Sequence, residues 1–171
     1  MIRKATIEDI PKIMSIVADA QLSLRELGID QWQDGYPSKE IIECDIANDT
    51  GYVYSVDNGI VGYAAIVLTG EEAYGQINDR EWNTSNDYVV VHRLCVKLDY
   101  TRAGVAKAMM YFASQMAIES GYTGFRIDTH RGNIRMLAML EKLSFKYVGV
   151  IHYDSGERLA YDLKLNKSSK M

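Results

Sequence analysis

The sequence predicts a mixed α/β protein in which helices cover both faces of a largely antiparallel sheet. Short β-branched runs alternate with segments of helical periodicity, and most connections between the strands are short. Only the strand–helix–strand unit around residues 88–129 requires a right-handed parallel crossover. The 171 residues suit one domain with a usable core. We therefore expect a single domain over residues 1–165 and a polar tail over residues 166–171.

The N-terminal region predicts a short strand followed by two helical pieces. A strand over residues 2–5 leads to Thr6, a candidate N-cap, and Asp9 puts a carboxylate in the first helical turn. The second helical piece should run from Ala20 to Leu27 and end at Gly28, a residue type common just beyond helix ends.

The remaining elements follow in a regular order. The patterns predict a loop over 29–38, a helix over 39–49 capped by Ser38, strands near 51–57 and 60–69, a polar and partly helical excursion over 69–86, a strand over 87–96, a helix from 105, a strand over 123–130, a helix over 133–143 and strands over 145–151 and 157–165. Asn58 and Gly59 both tolerate positive φ, so they predict a type I′ hairpin turn.

Composition and charge narrow the function classes. The formal net charge of −4 argues against nucleic-acid binding through the overall field and favours cations such as amines. The three histidines are scattered, and Cys44 and Cys95 form no CxxC pair, so we expect no metal site and two free thiols. The charged N-terminus and the absence of a long apolar run predict a cytoplasmic protein with no membrane partner.

A small-residue turn, "TRAGVA", stands between a strand and a helix at residues 101–106. The first N–H groups of a helix have no partner within it, and the helix dipole adds partial positive charge, so such an entrance can bind phosphate. The same residues also suit a plain tight turn. The segment is neither a Walker loop nor a GxGxxG fingerprint, which leaves another kind of phosphate ligand open.

The longer segment "VHRLCVKLDYTRAGVAKAMM" resembles the acyl-coenzyme A-binding motif of the GNAT superfamily of N-acetyltransferases. Gly104 and Ala106 match the last two fixed positions of that motif, whereas Thr101 stands where Gln or Arg is usual. The predicted order of elements also resembles that fold, which implies splayed central parallel strands.

A second segment, "GNIRMLAMLEKLSF", resembles another motif of the same family. The matching positions are Asn133, Glu141, Lys142 and Phe145, while Leu140 replaces the usual Tyr and Ser144 the usual Gly.

The resemblance implies a binding site for acetyl-coenzyme A. The implied contacts to its pyrophosphate come from the backbone around Thr101, Arg102, Ala103, Gly104, Val105 and Ala106, and those to the pantetheine arm from the backbone of Leu94, Cys95 and Val96, as if the arm were an added strand. Asn133 would contact the arm from the other side; it also suits a helix N-cap, and both roles can hold together.

The resemblance further implies direct acetyl transfer to an amine. The backbone N–H of Val96 or its neighbour would stabilise the developing negative charge. His92 is our candidate general base, because histidine changes charge near neutral pH and strict alternation puts it opposite Arg93 and the core-facing Cys95; the alternative is a His satisfied by a backbone carbonyl. Leu140 cannot protonate the leaving thiolate. Tyr147 and Tyr153 lie near it in sequence, but no motif position aligns either of them with that role.

The acceptor, predicted to be a small primary amine, is less well defined. Its candidate pocket residues are four aromatic side chains, Trp32, Tyr36, Tyr74 and Trp82, and four acidic ones, Glu71, Glu72, Asp79 and Glu81. The alternative is that these are ordinary partly buried aromatic residues and solvated acids. Two other functions stay open, a catalytically weak binder of acyl-coenzyme A and a structural domain, and the last two strands offer an edge for a possible homodimer.

Overall fold

Seven β-strands and four α-helices alternate in the residues that this computed structural model describes, namely 1–57, 59–68, 70–78 and 81–166. In chain order they are β1 (Ile2–Lys4), α1 (Ile10–Glu26), α2 (Lys39–Ala47), β2 (Gly51–Val56), β3 (Gly59–Val67), β4 (Tyr88–Val96), α3 (Val105–Glu119), β5 (Gly124–Thr129), α4 (Ile134–Lys142), β6 (Lys146–Tyr153) and β7 (Gly156–Lys164). Short 3₁₀ turns occupy Ile7–Asp9, Glu72–Gln76 and Leu98–Tyr100. The predicted order of elements is confirmed.

The strands form a mixed sheet in the order β1-β2-β3-β4-β5-β7-β6. The pairs β1–β2, β2–β3, β5–β7 and β6–β7 are antiparallel, and β4 pairs with β5 in parallel, as the crossover predicted. Because β7 lies between β5 and β6, only β6 of the last two strands lies at an end of the sheet. The expectation that both offer an edge is therefore wrong for β7.

Two local predictions need correction. The two helical pieces before Gly28 are one continuous helix, α1, because no residue between Ile10 and Glu26 breaks it; Gly28, with φ +72°, follows its end as predicted. The hairpin turn lies one residue earlier than predicted, since Val56 pairs with Gly59 and Asp57 has φ +45°. Asn58 itself, like all of the predicted tail beyond Asn166, lies outside the described residues.

The chain folds as two compact units, and the first comprises Met1–Ile66 and Val91–Phe112. Its core contains Ala5, Ile10, Ile13, Ile16, Val17, Ile42, Val53, Ile60, Tyr63 and Cys95. Tyr63 of β3 packs in this core with residues of α1 and α2, whereas the adjacent Gly62 faces Val105 and Met109 of α3. Successive strand residues point to opposite faces, so helices cover both faces of the sheet in this unit.

The second unit comprises Val67–Val90 and the chain from Ala113 onward. Its core contains Tyr74, Tyr88, Val90, Val148, Ile151 and Ala160. The Arg126 guanidinium lies over the rings of Trp82 and Tyr88, 4.4 and 3.8 Å from their centroids, and donates to the Thr84 and Ser85 carbonyls. These contacts hold the segment before β4 in place. The single domain over residues 1–165 stays a prediction.

Candidate active site

The C-terminal half of β4 carries four of the predicted site residues, His92, Leu94, Cys95 and Val96. The parallel ladder of β4 with β5 consists of Tyr88↔Gly124, Val89↔Phe125 and Val90↔Arg126, and β4 then continues to Val96. Just after the strand, the Lys97 N–H donates to the Val61 carbonyl over 2.8 Å, which fixes this end of β4 to β3. His92, Leu94 and Val96 are partly exposed.

A left-handed residue interrupts this half of the strand. Arg93 has φ +55°, a conformation that is rare for residues other than glycine. We call this feature the Arg93 kink. Residue 93 is not extended, yet the Arg93 side chain reaches Asp45, which also binds Tyr63, and Cys95 packs in the same core as Tyr63, so these two side chains point to one face as predicted.

Cys95 is buried in the core of the first unit, 4% exposed, as its sequence context predicted. Burial raises the pKa of its thiol to about 12. A thiol in that state stays protonated at neutral pH, and the thiolate is the nucleophilic form. Its side chain is therefore not a nucleophile, although its backbone is unaffected by this conclusion.

The turn at Thr101–Gly104 is exposed and has two left-handed residues, Arg102 at φ +70° and Gly104 at φ +82°. The Thr101 hydroxyl donates to the Leu98 carbonyl over 2.8 Å, so this side chain braces the turn. The Ala103 N–H donates to the Tyr100 carbonyl over 3.1 Å. Alternating backbone handedness turns successive N–H groups toward one side, a geometry that forms anion-binding concavities.

Helix α3 begins directly after this turn. Val105 is buried at 4% exposure, and the Ala108 N–H makes the first intrahelical bond, to the Gly104 carbonyl over 2.9 Å. A Cβ atom built on Gly104 meets no heavy atom within 4 Å. Gly104 is therefore required by its backbone conformation and not by packing, and the space in front of it is open.

Asn133 belongs to the second unit and caps α4. Its side-chain oxygen accepts a hydrogen bond from the Met136 N–H over 3.2 Å. The N-cap role is thus confirmed. The amide nitrogen of a capping Asn is still a donor, so the cap does not conflict with the predicted cofactor contact, which stays a prediction.

Comparison with known families assigns the chain to a family through a region that contains β4 and the turn before α3. Residues 18–145 match the model of the acetyltransferase (GNAT) family. The chain belongs to the GNAT acetyltransferase family. No curated protein matches it in sequence.

Solved acetyltransferase structures share this fold. An acetyltransferase of the GNAT family from Streptococcus agalactiae is 31% identical, with a TM-score of 0.83 over 98% of this chain and 96% of that one. A putative acetyltransferase from Staphylococcus aureus is 24% identical, with a TM-score of 0.75 over 97% and 99% of the two chains. The PaiA N-acetyltransferase from Thermoplasma acidophilum, in complex with coenzyme A, is 20% identical, with a TM-score of 0.70 over 96% and 98%.

This GNAT protein departs from the family motif at Leu140, which is fully buried at 0% exposure. Tyr153, one of its neighbours in sequence, donates its hydroxyl to Asp128 over 3.4 Å. Burial, and then the Asp128 charge, raises the pKa of Tyr153 well above its usual value. Tyr147 instead packs its ring against Tyr161, with centroids 5.7 Å apart.

The predicted acceptor residues separate into structural and surface groups. Tyr74 is fully buried, donates to Asp128 over 2.7 Å and packs its ring against Trp82, so both rings are structural. Glu71 caps its own 3₁₀ turn by accepting from the Ala73 N–H over 3.3 Å. Glu72 and Glu81 are exposed, and Asp79 lies outside the described residues. Trp32 and Tyr36, with ring centroids 6.2 Å apart, belong to the first unit and stay candidates.

One buried polar cluster of the first unit was not predicted from the sequence. The Arg93 guanidinium donates to both carboxylate oxygens of Asp45, over 2.8 and 2.6 Å, and to the Tyr36 hydroxyl over 2.8 Å. Tyr63 donates to the same carboxylate over 2.6 Å. We call these four residues the Asp45 cluster. One signal existed: Asp45 follows Ile42 by three positions and so interrupts the apolar stripe of its helix, which indicates a buried charge that needs a partner.

Metal clusters and membrane-spanning helices are both absent from the described part of the chain. Across residues 1–57, 59–68, 70–78 and 81–166, no group of His, Cys, Asp or Glu side chains could hold a metal ion. Over the same ranges, no helix has the length and hydropathy to cross a membrane.

Proposed function

We propose that this protein transfers an acetyl group from acetyl-coenzyme A to a primary amine of a small molecule, by direct attack of the amine. The observation that carries the proposal is the exposed turn at Thr101–Gly104, with left-handed residues at Arg102 and Gly104, immediately before α3. It lies within the segment that matches the acetyltransferase family.

The turn fits the pyrophosphate of the cosubstrate. Of the backbone N–H groups from Arg102 to Ala106, that of Ala103 donates to the Tyr100 carbonyl, and the others lie at a helix entrance, where the dipole favours negative charge. Lys97, Arg102 and Lys107 are exposed cationic residues in or beside this segment and offset the formal net charge of −4 locally. The open space at Gly104 lets an anion approach the main chain, since no side-chain atom stands there.

The strand fits the pantetheine arm. Beyond its last pair with β5, at Val90, β4 offers the backbone of Leu94, Cys95 and Val96. An extended amide-bearing chain adds to a strand edge through such groups. We assign the backbone N–H of Val96 to the oxygen on which negative charge develops during transfer. Asn133 is assigned to the same arm through its amide group.

His92 is proposed to remove the proton from the attacking amine. It lies on β4 beside the Arg93 kink and is partly exposed, so solvent or substrate can reach it. Acetyl-coenzyme A supplies a thioester, whose thiolate leaving group is stable enough to depart without an acid. The burial of Leu140 is consistent with that, because no proton donor is then required at its position.

Three finer assignments accompany this proposal. The acidic net charge supports an amine acceptor, and Trp32 and Tyr36 are the aromatic residues proposed to contact it. A cytoplasmic location stays a prediction. So does a homodimer, for which β6 lies at the end of the sheet, where a further strand could add.

The test combines binding with turnover. Thermal unfolding with and without coenzyme A measures binding, and a ligand at a hundred times its dissociation constant raises the free energy of unfolding by roughly 2.7 kcal/mol. Release of the free thiol from acetyl-coenzyme A is then followed with tyramine, with cadaverine and with a peptide carrying a free N-terminus. Amine-dependent release with tyramine or cadaverine supports the proposal, while release with the peptide alone reassigns the acceptor class. No thermal shift with coenzyme A contradicts the proposal.

Leu140, buried where the family usually has a Tyr, also supports a second candidate function. The protein would then be a catalytically weak binder of acyl-coenzyme A that acts as a sensor or interaction module. Such a protein would show the thermal shift with coenzyme A, but no amine would increase thiol release. The same two measurements therefore separate the two functions.

A further inference from the structure

The Arg93 kink is an unfavourable backbone conformation in the middle of a strand. A β-strand residue other than glycine gains nothing locally from φ +55°, because its Cβ then crowds the following carbonyl oxygen. Such conformations persist only where the surrounding structure imposes them, and they concentrate at functional sites. The kink directly precedes Leu94, Cys95 and Val96, whose backbone is assigned above to the cosubstrate.

The Asp45 cluster holds the side chain of the kinked residue. Asp45 accepts from two nitrogens of one guanidinium, and the planar fork of an Arg makes such a pair rigid in direction as well as in distance. The Asp45 and Arg93 side chains are only 9% and 14% exposed. The buried guanidinium therefore anchors the far end of the Arg93 side chain, and the chain of bonds back to Cα passes this on as a restraint on the local backbone.

Two tyrosines make further hydrogen bonds with this ion pair, one with each partner. Tyr63, buried at 0% exposure in β3, donates to Asp45 Oδ2, and Tyr36 in the loop before α2 accepts from Arg93 Nη1. Burial, and then the Asp45 charge, raises the pKa of Tyr63 far above its usual value, so this hydroxyl stays a donor at any physiological pH. Every element of the cluster belongs to the first unit, as does the kink.

Stability alone does not account for the cluster. A buried ion pair is often replaceable by apolar side chains without loss of stability, because the cost of removing two charges from water offsets their attraction. Fixed geometry is what a bidentate charged pair supplies and an apolar pair does not. A strand that only had to pack would need neither the charges nor the left-handed residue.

We propose that Asp45 and Arg93 are positioning residues for acetyl transfer: their ion pair holds β4 in the kinked form that presents the backbone of Leu94–Val96 to the thioester. This inference rests on the proposed function and adds to it a device specific to this chain. Neither side chain is assigned a contact with the substrate. Their effect passes through the backbone conformation at residue 93.

The test compares two charge-free double variants. Asp45→Asn with Arg93→Gln keeps the bulk, removes the charges and leaves a residue that disfavours positive φ. Asp45→Asn with Arg93→Gly also removes the charges, but glycine adopts positive φ at no steric cost. Because both remove the pair together, neither leaves one buried charge unpaired, and circular dichroism with thermal unfolding checks that each folds.

The expected result is a loss of turnover in the Gln variant and a partial recovery of turnover in the Gly variant. We expect the Gln variant to lose about a hundredfold in kcat, as a misplaced reacting group typically does, and the Gly variant to regain at least about tenfold of that loss. The dissociation constant for coenzyme A without the acyl group should change by a smaller factor than kcat in both variants, because the turn at Thr101–Gly104 is untouched and only the contacts of the Leu94–Val96 backbone to the pantetheine arm are affected. In crystal structures, residue 93 should return to negative φ in the Gln variant.

Three outcomes would overturn the inference. These are wild-type kcat in the Gln variant, no advantage of Gly over Gln at equal folding, and a positive φ retained at residue 93 in the Gln variant. A purely structural cluster predicts the second, because kcat would then not depend on the backbone conformation at residue 93. Failure of the proposed function looks different, because wild-type protein would then release no thiol with any amine, whatever the conformation at residue 93.

Discussion

Gly62 of β3 lies directly against Val105, the first residue of α3: a Cβ atom added to Gly62 would be 2.7 Å from Val105 Cγ1. The same atom would be 3.2 Å from Met109 Sδ and 3.4 Å from Tyr54 Cβ. Because Gly62 has no side chain, α3 can begin this close to β3. The start of α3 is the helix entrance that we assign to the pyrophosphate.

Gly62→Ala should therefore weaken both folding and coenzyme A binding. Val105 is β-branched and has little rotamer freedom in a helix, so α3 itself must shift. We expect a loss of about 1–3 kcal/mol in the free energy of unfolding, the usual cost of overpacking, measured by urea denaturation, and a higher dissociation constant for coenzyme A.

Gly75→Ala is the matched control, because a Cβ atom there meets no heavy atom within 4 Å. We expect it to leave both quantities close to wild type. In a double variant, Val105→Ala should relieve part of the Gly62→Ala penalty, as coupled neighbours do. Strictly additive losses would show that the two residues do not interact as described.

Gly104→Ala should reduce coenzyme A affinity by more than its effect on stability explains. Its φ of +82° costs an alanine about 1–2 kcal/mol, and the new methyl group projects into the open space assigned to the phosphates. Gly28→Ala is a close match, with φ +72° and equally open surroundings beyond the end of α1. Calorimetric titration with coenzyme A should separate the two variants; equal affinities at equal stability would remove Gly104 from the binding site.

His92→Ala should lower kcat and flatten the alkaline rise of the pH–rate profile. A positioned general base typically contributes about 10²–10⁴-fold to the rate, and its loss removes the dependence on its protonation state. The measurement is thiol release with a fixed amine across the pH range. His152→Ala is the control, since His152 lies on β6, 55% exposed and 3.7 Å from Glu157. An unchanged profile for His92→Ala would show that another group or water accepts the proton.

Cys95 should resist thiol reagents in the native state. Its ionisation in the unfolded chain should also lower the free energy of unfolding at alkaline pH. Cys44 is exposed, so a disulfide reagent should modify one thiol in native protein and two after denaturation. Because burial raises the pKa of Cys95 from 9.0 to about 12, the unfolded chain loses its proton first.

The free energy of unfolding should therefore fall as the pH rises above 9.0, by up to about 1.4 kcal/mol per pH unit from this group. The buried Tyr63 and Tyr74 and the partly buried Tyr153 add to the trend above their ordinary pKa of 10.0. Cys95→Ala isolates the contribution of the thiol, since its alkaline slope should be shallower than that of wild type. Identical slopes would contradict the assigned pKa.

Features that depend on neighbours in sequence could be predicted. The turn before α3 was recognisable because Gly104 and the small residues around it meet a requirement of the local backbone. Asn133 was recognised as a cap for the same reason. The hairpin turn was displaced by one residue, because its position is set by the register of β2 on β3 and not by the turn residues alone.

Features that depend on distant partners could not be predicted in this way. Tyr74 was a candidate pocket residue by composition, but the fold buries it and gives its hydroxyl to Asp128, 54 positions away. The position of β7 between β5 and β6 likewise follows from sheet pairing, which the chain order does not encode.

By itself, the sequence determined the order of strands and helices, the glycine-containing entrance to α3 and the membership in the GNAT family that these motifs indicate. Only the tertiary structure decided that Arg93 is left-handed and that Asp45, 48 positions earlier, is its partner. The physical reason is range: periodicity, capping and turn preferences act over a few residues. An ion pair that bends a strand exists only after folding has brought α2 and β4 together.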